Sequence, residues 1–143
     1  MASVFDAAKY ILEKQGIMST MKLQKLCYYA QVWSLVWDDT PLFDQDFQAW
    51  ANGPVCKELF NEHQGHFSVT AEQEKGDSQK ISPNQRDTID KVLAFYGDKD
   101  AQWLSQLTHM EEPWRKARVG CADGEICTNT ITKESMAIYY GGL

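Results

Sequence analysis

The sequence predicts a mainly α-helical fold: a compact single domain over residues 1–143, built as a bundle of about six or seven helices with at most a small β element. Apolar residues recur at three- and four-residue steps in several separate stretches. Most stretches are bounded by cap-forming Ser, Thr or Pro in front or by Gly, Asp or Pro behind. The chain has 143 residues, 43% of them hydrophobic, enough for one core that buries roughly two thirds of the surface of the unfolded chain.

The first segment opens on Ser3 with Asp6 three positions later, a capping-box arrangement; Val4, Phe5, Ala8, Ile11 and Leu12 then share one helical face until Gly16 ends it. Ser19 or Thr20 caps a second helix, in which Leu23, Leu26, Cys27, Ala30, Trp33, Ser34 and Trp37 form an apolar stripe. Its other flank carries Lys22, Lys25, Tyr29 and Val32, with Gln24, Tyr28 and Gln31 at the margin, so that side is expected to face water or a partner. Asp38, Asp39, Thr40 and Pro41 stop this helix, because Asp favours turns and the residue before proline is pushed toward extended backbone. Leu42 and Phe43, then Phe47, Ala49 and Trp50, alternate as in short extended pieces, although Phe47 to Trp50 also fits a brief helical turn. Pro54, after Gly53, suits the first position of a third helix running through Val55, Lys57, Glu58, Leu59 and Phe60.

From Gln64 to Ser82 only Phe67, Val69 and Ile81 are sizeable apolar residues, which predicts a mobile surface excursion with a short strand near His66 to Val69. Ser82 and Pro83 restart a helix with Ile89, Val92, Leu93 and Tyr96 on its buried stripe, ended by Gly97. Ala101, Leu104 and Leu107, with Trp103 alongside, supply another. Pro113 begins a short helix through Arg118, Gly120 to Thr130 is irregular, and Thr132 caps a last helix carrying Met136, Ala137, Tyr139 and Tyr140. Trp33, Trp37, Phe60 and Tyr96 are assigned to the core. Tyr28 or Tyr29, Trp50 and one of Tyr139 and Tyr140 are not required there by the helical pattern.

Fourteen basic residues stand against 20 acidic ones, for a net charge of -6 and a pI near 5.0. Binding to a phosphate backbone rests on Lys and Arg, so direct nucleic-acid binding is not expected. No apolar run approaches the ~20 residues of a membrane span, and the N-terminal stretch carries Asp6 where a leader would be basic, which points to the cytoplasm. Asp38, Asp39, Asp44 and Asp46 fall close together with no basic residue between them, either a solvated loop or an acidic contact patch. Cys27, Cys56, Cys121 and Cys127 show no paired spacing and read as free thiols. Cys56, His63 and His66 lack the two close ligand pairs of a zinc site, so neither metal nor cofactor is expected. No phosphate cradle or nucleophile elbow is present, leaving only Cys27 and His109 for an enzymatic reading that nothing else in the sequence favours.

Several strings go beyond helix periodicity: Lys22-Leu23-Gln24-Lys25-Leu26-Cys27-Tyr28-Tyr29-Ala30-Gln31, then Pro41-Leu42-Phe43, Ala49-Trp50, Gly53-Pro54-Val55, and Leu107-Thr108-His109 with Glu111, Pro113 and Trp114. In this order and spacing they resemble the Panacea family, the SocA-like antitoxin domains. The resemblance implies a compact, mostly helical bacterial or prophage antitoxin of a toxin–antitoxin pair, which neutralises a cognate protein toxin encoded by a neighbouring gene. It equally accommodates an adaptor that delivers the toxin to a protease, and it does not identify the toxin.

Interface energy concentrates in Trp, Tyr and Arg, and the chain has five Trp and six Tyr. Lys25, Tyr28, Tyr29, Gln31, Trp50, His109, Glu111, Trp114 and Arg118 are therefore the candidate cluster, either an internal clamp or a toxin-binding groove. As a clamp, Lys25 is expected to pair with Glu111, and His109 to donate to a backbone carbonyl. Exposed aromatics would also suit a homo- or hetero-oligomer.

Overall fold

The computed structural model describes all residues, 1–143, and opens on the helix whose cap the sequence announces. The Asp6 N–H donates to Ser3 Oγ and the Ser3 N–H to Asp6 Oδ2, closing the capping box of α1 (Val4–Gln15). After the two-residue β1 (Met18–Ser19), the Lys22 N–H donates to Ser19 Oγ and starts α2 (Thr20–Trp37).

Around α2 the rest of the chain is wrapped: α1, the strand β3 (Gly53–Val55) and the helices α3 (Lys57–Glu62), α4 (Pro83–Tyr96), α5 (Ala101–His109) and α7 (Lys133–Gly141) all touch it. Its polar and aromatic flank therefore does not face water. Gln24, Lys25, Tyr28, Tyr29 and Gln31 are as buried as Leu23 and Leu26. Two of these polar residues act as clasps for non-helical chain. The Cys56 N–H donates to Gln24 Oε1 (2.8 Å) and Gln24 Nε2 returns a bond to the Cys56 carbonyl. One heptad on, the Leu42 N–H donates to Gln31 Oε1 (2.7 Å) while Gln31 Nε2 donates to the Phe43 carbonyl (2.8 Å). Each amide replaces a strand partner for backbone that would otherwise be buried unpaired.

β2 (Phe47–Trp50), β3 (Gly53–Val55) and β5 (Thr130–Ile131) form an antiparallel sheet in the order β3-β2-β5, with Gln48 opposite Val55 and Phe47 opposite Ile131. Pro54 thus lies in a strand and not at a helix start; as an edge-strand residue it need not donate to the ladder. The third helix, α3 (Lys57–Glu62), begins later. Gly53 turns the hairpin at φ +114°, and a Cβ there would stand 2.7 Å from Lys25 Cε, so glycine is required twice over.

β4 (Ser68–Val69) pairs with β1, and two short 3-10 turns, Ala71–Gln73 and Ser78–Lys80, follow. This excursion is docked on α1: the Asp77 N–H donates to Asp6 Oδ1, Lys9 Nζ to the Ala71 carbonyl, and Gly76 sits against the Phe5 carbonyl with no room for a side chain. Glu74, Ser78 and Ile81 are buried there. The remaining helices are α4 (Pro83–Tyr96), α5 (Ala101–His109), α6 (Glu112–Ala117) and α7 (Lys133–Gly141), with Ser82, Asp100 and Thr132 capping α4, α5 and α7. The architecture is mainly α, but with two small antiparallel sheets it is not a pure bundle. No helix is long and apolar enough to cross a membrane.

Two further expectations are corrected. Cys121 and Cys127 are joined in a disulfide across a turn in which the Arg118 guanidinium donates to the Ala122 and Glu125 carbonyls; Cys27 and Cys56 are free and buried. Trp37 is 50% exposed, although it follows the stripe of α2, because it closes the last turn of the helix where the surrounding core ends; Trp33 and Phe60 are half-buried, and only Tyr96 of the four assigned aromatics is fully enclosed.

Gln31→Ala removes one side chain and strands three buried backbone groups, the Leu42 and Phe43 N–H and the Phe43 carbonyl, so it is expected to lower unfolding stability by about 2–4 kcal/mol, read from urea denaturation.

Candidate functional site

One carboxylate ties the helices together. Glu111, in the bend between α5 and α6, accepts at Oε1 from the Tyr29 hydroxyl of α2 (2.6 Å) and the Tyr140 hydroxyl of α7 (2.7 Å). Since the single Tyr140 proton is used on Glu111, the 3.1 Å bond to Tyr28 must run from the Tyr28 hydroxyl to Tyr140. Burial raises the Glu111 carboxyl above its ordinary value, and the two phenols pull it partly back. Tyr29 also stacks on Tyr96 of α4, with ring centroids 4.1 Å apart.

Lys25 does not pair with Glu111. Its side chain lies over Gly53 beside Thr108, fully buried, and Nζ finds no hydrogen-bond partner in the protein. Burial alone pulls its ammonium down to about 7. Burial lowers His109, Lys25 and Arg118 add to that, and the Ala51 backbone opposes it; the ring Nε2 is buried without a hydrogen-bond partner. Its ring stacks on Trp114 at 4.0 Å, Trp114 Nε1 donates to the Trp50 carbonyl (2.8 Å), and Arg118 Nη1 donates to the Ala49 carbonyl (2.8 Å). His109, Trp114 and Arg118 therefore fasten the α5–α6 bend to β2. Gln31 stands apart from them, on the Leu42–Phe43 loop.

Beside the carboxylate hub opens an apolar groove of about 450 Å³ between the C-terminal half of α2, α4 and α5. Trp33, Trp37, Phe95 and Trp103 line it, Glu111 reaches its floor, and Lys91 stands at its edge. Trp37, Phe95 and Trp103 are 50%, 59% and 41% exposed. Trp37 stacks on Trp33, whose Nε1 donates to the Tyr96 hydroxyl (3.0 Å), so the ring pair is held in place. None of the hydrogen bonds to Glu111 uses Oε2. The sequence offered one sign of this face: Phe95 falls outside the Ile89, Val92, Leu93 and Tyr96 stripe, one turn on from Lys91.

The other candidates scatter. In the acidic loop, Asp38 accepts from the Thr88 hydroxyl (2.6 Å) and Asp46 pairs with Lys133 (2.7 Å), which leaves Asp39 and Asp44 projecting without an ion pair. Cys27 is enclosed, and burial pushes its thiol far above the range of a nucleophile. Cys56, His63 and His66 do not converge. Instead His63 meets Glu62 and Glu74, residues the sequence did not single out. Burial and the neighbouring Glu74 push Glu62 up to about 7; for Glu74 burial acts upward, but His63 and Glu62 outweigh it and the net shift is downward.

The profile of the family described as Antitoxin SocA-like, Panacea domain, matches residues 23–115, from the first turn of α2 into α6. The matched span takes in the Gln24 and Gln31 clasps, Gly53, Glu111 and most of the aromatic groove. The chain belongs to this family. Neither a curated protein nor a solved structure matches it.

Between pH 7 and 10.5 the unfolded chain holds the Lys25 proton and the folded one releases it, so this residue makes stability rise with pH across that window, by up to about 1.4 kcal/mol per pH unit. Lys25→Met is expected to be more stable than the native chain at pH 7, with the difference shrinking toward pH 10. Urea titrations at the two pH values check this, and parallel profiles would refute it.

Proposed function

We propose that this chain is the antitoxin of a bacterial toxin–antitoxin pair and neutralises a protein toxin, encoded by a neighbouring gene, by direct binding in the α2–α4–α5 groove. Family membership supports the antitoxin role. The observation that carries the choice of surface is the side-by-side exposure of Trp37, Phe95 and Trp103 over a buried carboxylate. Large aromatics held rigid on an otherwise polar surface are the side chains that dominate protein interfaces.

The chemistry of the groove describes the part of the toxin that enters it. The walls take an apolar helix or loop, and Glu111 Oε2 at the floor takes a Lys or Arg from it, a charge-assisted bond in a desolvated place. Asp39 and Asp44, together with the net charge of -6, add a longer-ranged attraction for a basic toxin surface. Cys27 and His109 contribute packing in this reading and no chemistry; the toxin is blocked by coverage. Delivery of the toxin to a protease is the second mode compatible with the same surface.

Trp37→Ala and Trp103→Ala remove exposed rings, so the fold is expected to survive in both. Each should weaken toxin binding by about 2 kcal/mol, roughly 30-fold in Kd, and the pair should abolish growth rescue on co-expression with the neighbouring gene. Undiminished rescue and co-purification by the double variant would refute the groove. Toxin levels in rescued cells separate the two modes, since blocking leaves the toxin present and delivery depletes it.

A further inference from the structure

A second buried polar cluster lies where the end of α3 meets the turn at Ala71–Gln73. Three ligand-type atoms converge there. Glu62 Oε1 is 3.5 Å and Glu74 Oε1 2.9 Å from His63 Nε2, and all three residues place a ligand atom within 4.8 Å of one another. The Lys75 N–H donates to the outer oxygens of both carboxylates, 3.1 Å to Glu62 Oε2 and 3.0 Å to Glu74 Oε2, which holds the inner oxygens toward the imidazole. Glu62 Oε1 is buried and has no hydrogen-bond partner. No lysine or arginine pairs with the cluster: the Lys75 ammonium lies over the Phe5 ring, 4.1 Å from its centroid. His63 and Glu74 are 5% and 3% exposed, so water screens the Glu74 carboxylate far less than it would at the surface.

We propose that Glu62, His63 and Glu74 bind a divalent first-row transition ion, with Zn2+ the best fit. Imidazole nitrogen and carboxylate oxygen each approach Zn2+ to roughly 2.0–2.2 Å, which sets tetrahedral ligands about 3.3–3.5 Å apart. The 3.5 Å between His63 Nε2 and Glu62 Oε1 meets that spacing; Glu74 Oε1, hydrogen-bonded to Nε2 at 2.9 Å, has to move out by about 0.5 Å as the ion replaces the shared proton. The imidazole disfavours Mg2+ and Ca2+, which take oxygen ligands. The Lys75 N–H already supplies the outer contact that orients both carboxylates. His63 Nδ1, which would carry the ring proton, has no acceptor, so affinity falls short of a fully supported zinc site by roughly 10–100-fold. The ion fastens the excursion after Gln64 to α3 through bonds that side-chain packing does not provide.

Calorimetric titration of the chelator-treated full chain with ZnCl2, compared with MgCl2, tests the site. The expected result is one Zn2+ per chain, with affinity at least about 10-fold weaker in both His63→Ala and Glu74→Gln and unchanged in Glu72→Gln. Absence of saturable Zn2+ binding, or binding that survives both substitutions, overturns the proposal. Should those variants fail to fold, Co2+ titration of the native chain decides: a ligand-field spectrum of nitrogen and oxygen donors supports the site, and thiolate charge transfer places the ion on Cys27 or Cys56 and overturns it.

Discussion

The burial of α2 on all sides from Leu23 to Val32 is the constraint from which the rest of the structure follows. A helix surrounded by its own chain cannot leave Gln24, Gln31, Ser34, Tyr28 or Tyr29 to water, so each must find its partner inside. Those partners are the segments that are not helices. Cys56 is held by Gln24, the Leu42–Phe43 loop by Gln31 and the Thr40 carbonyl by the Ser34 hydroxyl. The polar residues of α2 thereby specify where the loops and the hairpin lie. Lys25 is the exception, an amine enclosed with no partner, and its lowered affinity for a proton is the physical consequence.

The same helix connects the core to the groove. Tyr29 binds Glu111 from within the core and stacks on Tyr96, Tyr96 receives the Trp33 indole, and Trp33 carries Trp37 into solvent. Buried hydrogen bonds therefore set the position of exposed rings. Rigid anchors lose little conformational entropy on binding, which is what a protein-binding surface needs. Glu111 belongs to both environments: Oε1 holds α2 and α7 together, and the side chain forms part of the groove floor. The internal clamp and the binding groove, alternatives from the sequence, share this residue.

Helix starts were legible because capping is local. Ser3, Ser19, Ser82 and Thr132 each accept from a backbone N–H three residues ahead, and a sequence window contains everything that interaction needs. The α2 flank is illegible in the sequence for the opposite reason. Lys25, Tyr28, Tyr29 and Gln31 have the polarity of a solvated face, and only neighbours distant in the chain decide that they are enclosed. Trp37 errs the other way: its spacing places it on the stripe, but the core ends before it does. Of the candidate cluster, His109, Trp114 and Arg118 come together at β2, whereas Lys25 and Glu111, opposite in charge and therefore natural to pair, stay apart.

What the sequence by itself determined is the helical class, most helix boundaries and, through its ordered strings from Lys22 to Trp114, the family, since all of these depend on residues near one another or on their order along the chain. What only the tertiary structure decided is which polar groups lie inside, which aromatics reach solvent, and the meeting of Glu74 with Glu62 and His63. These depend on distances across the fold. Charge, polarity and periodicity describe a residue, whereas burial and partnership describe its neighbours, and for α2, wrapped on every side, nearly all of those neighbours come from elsewhere in the chain.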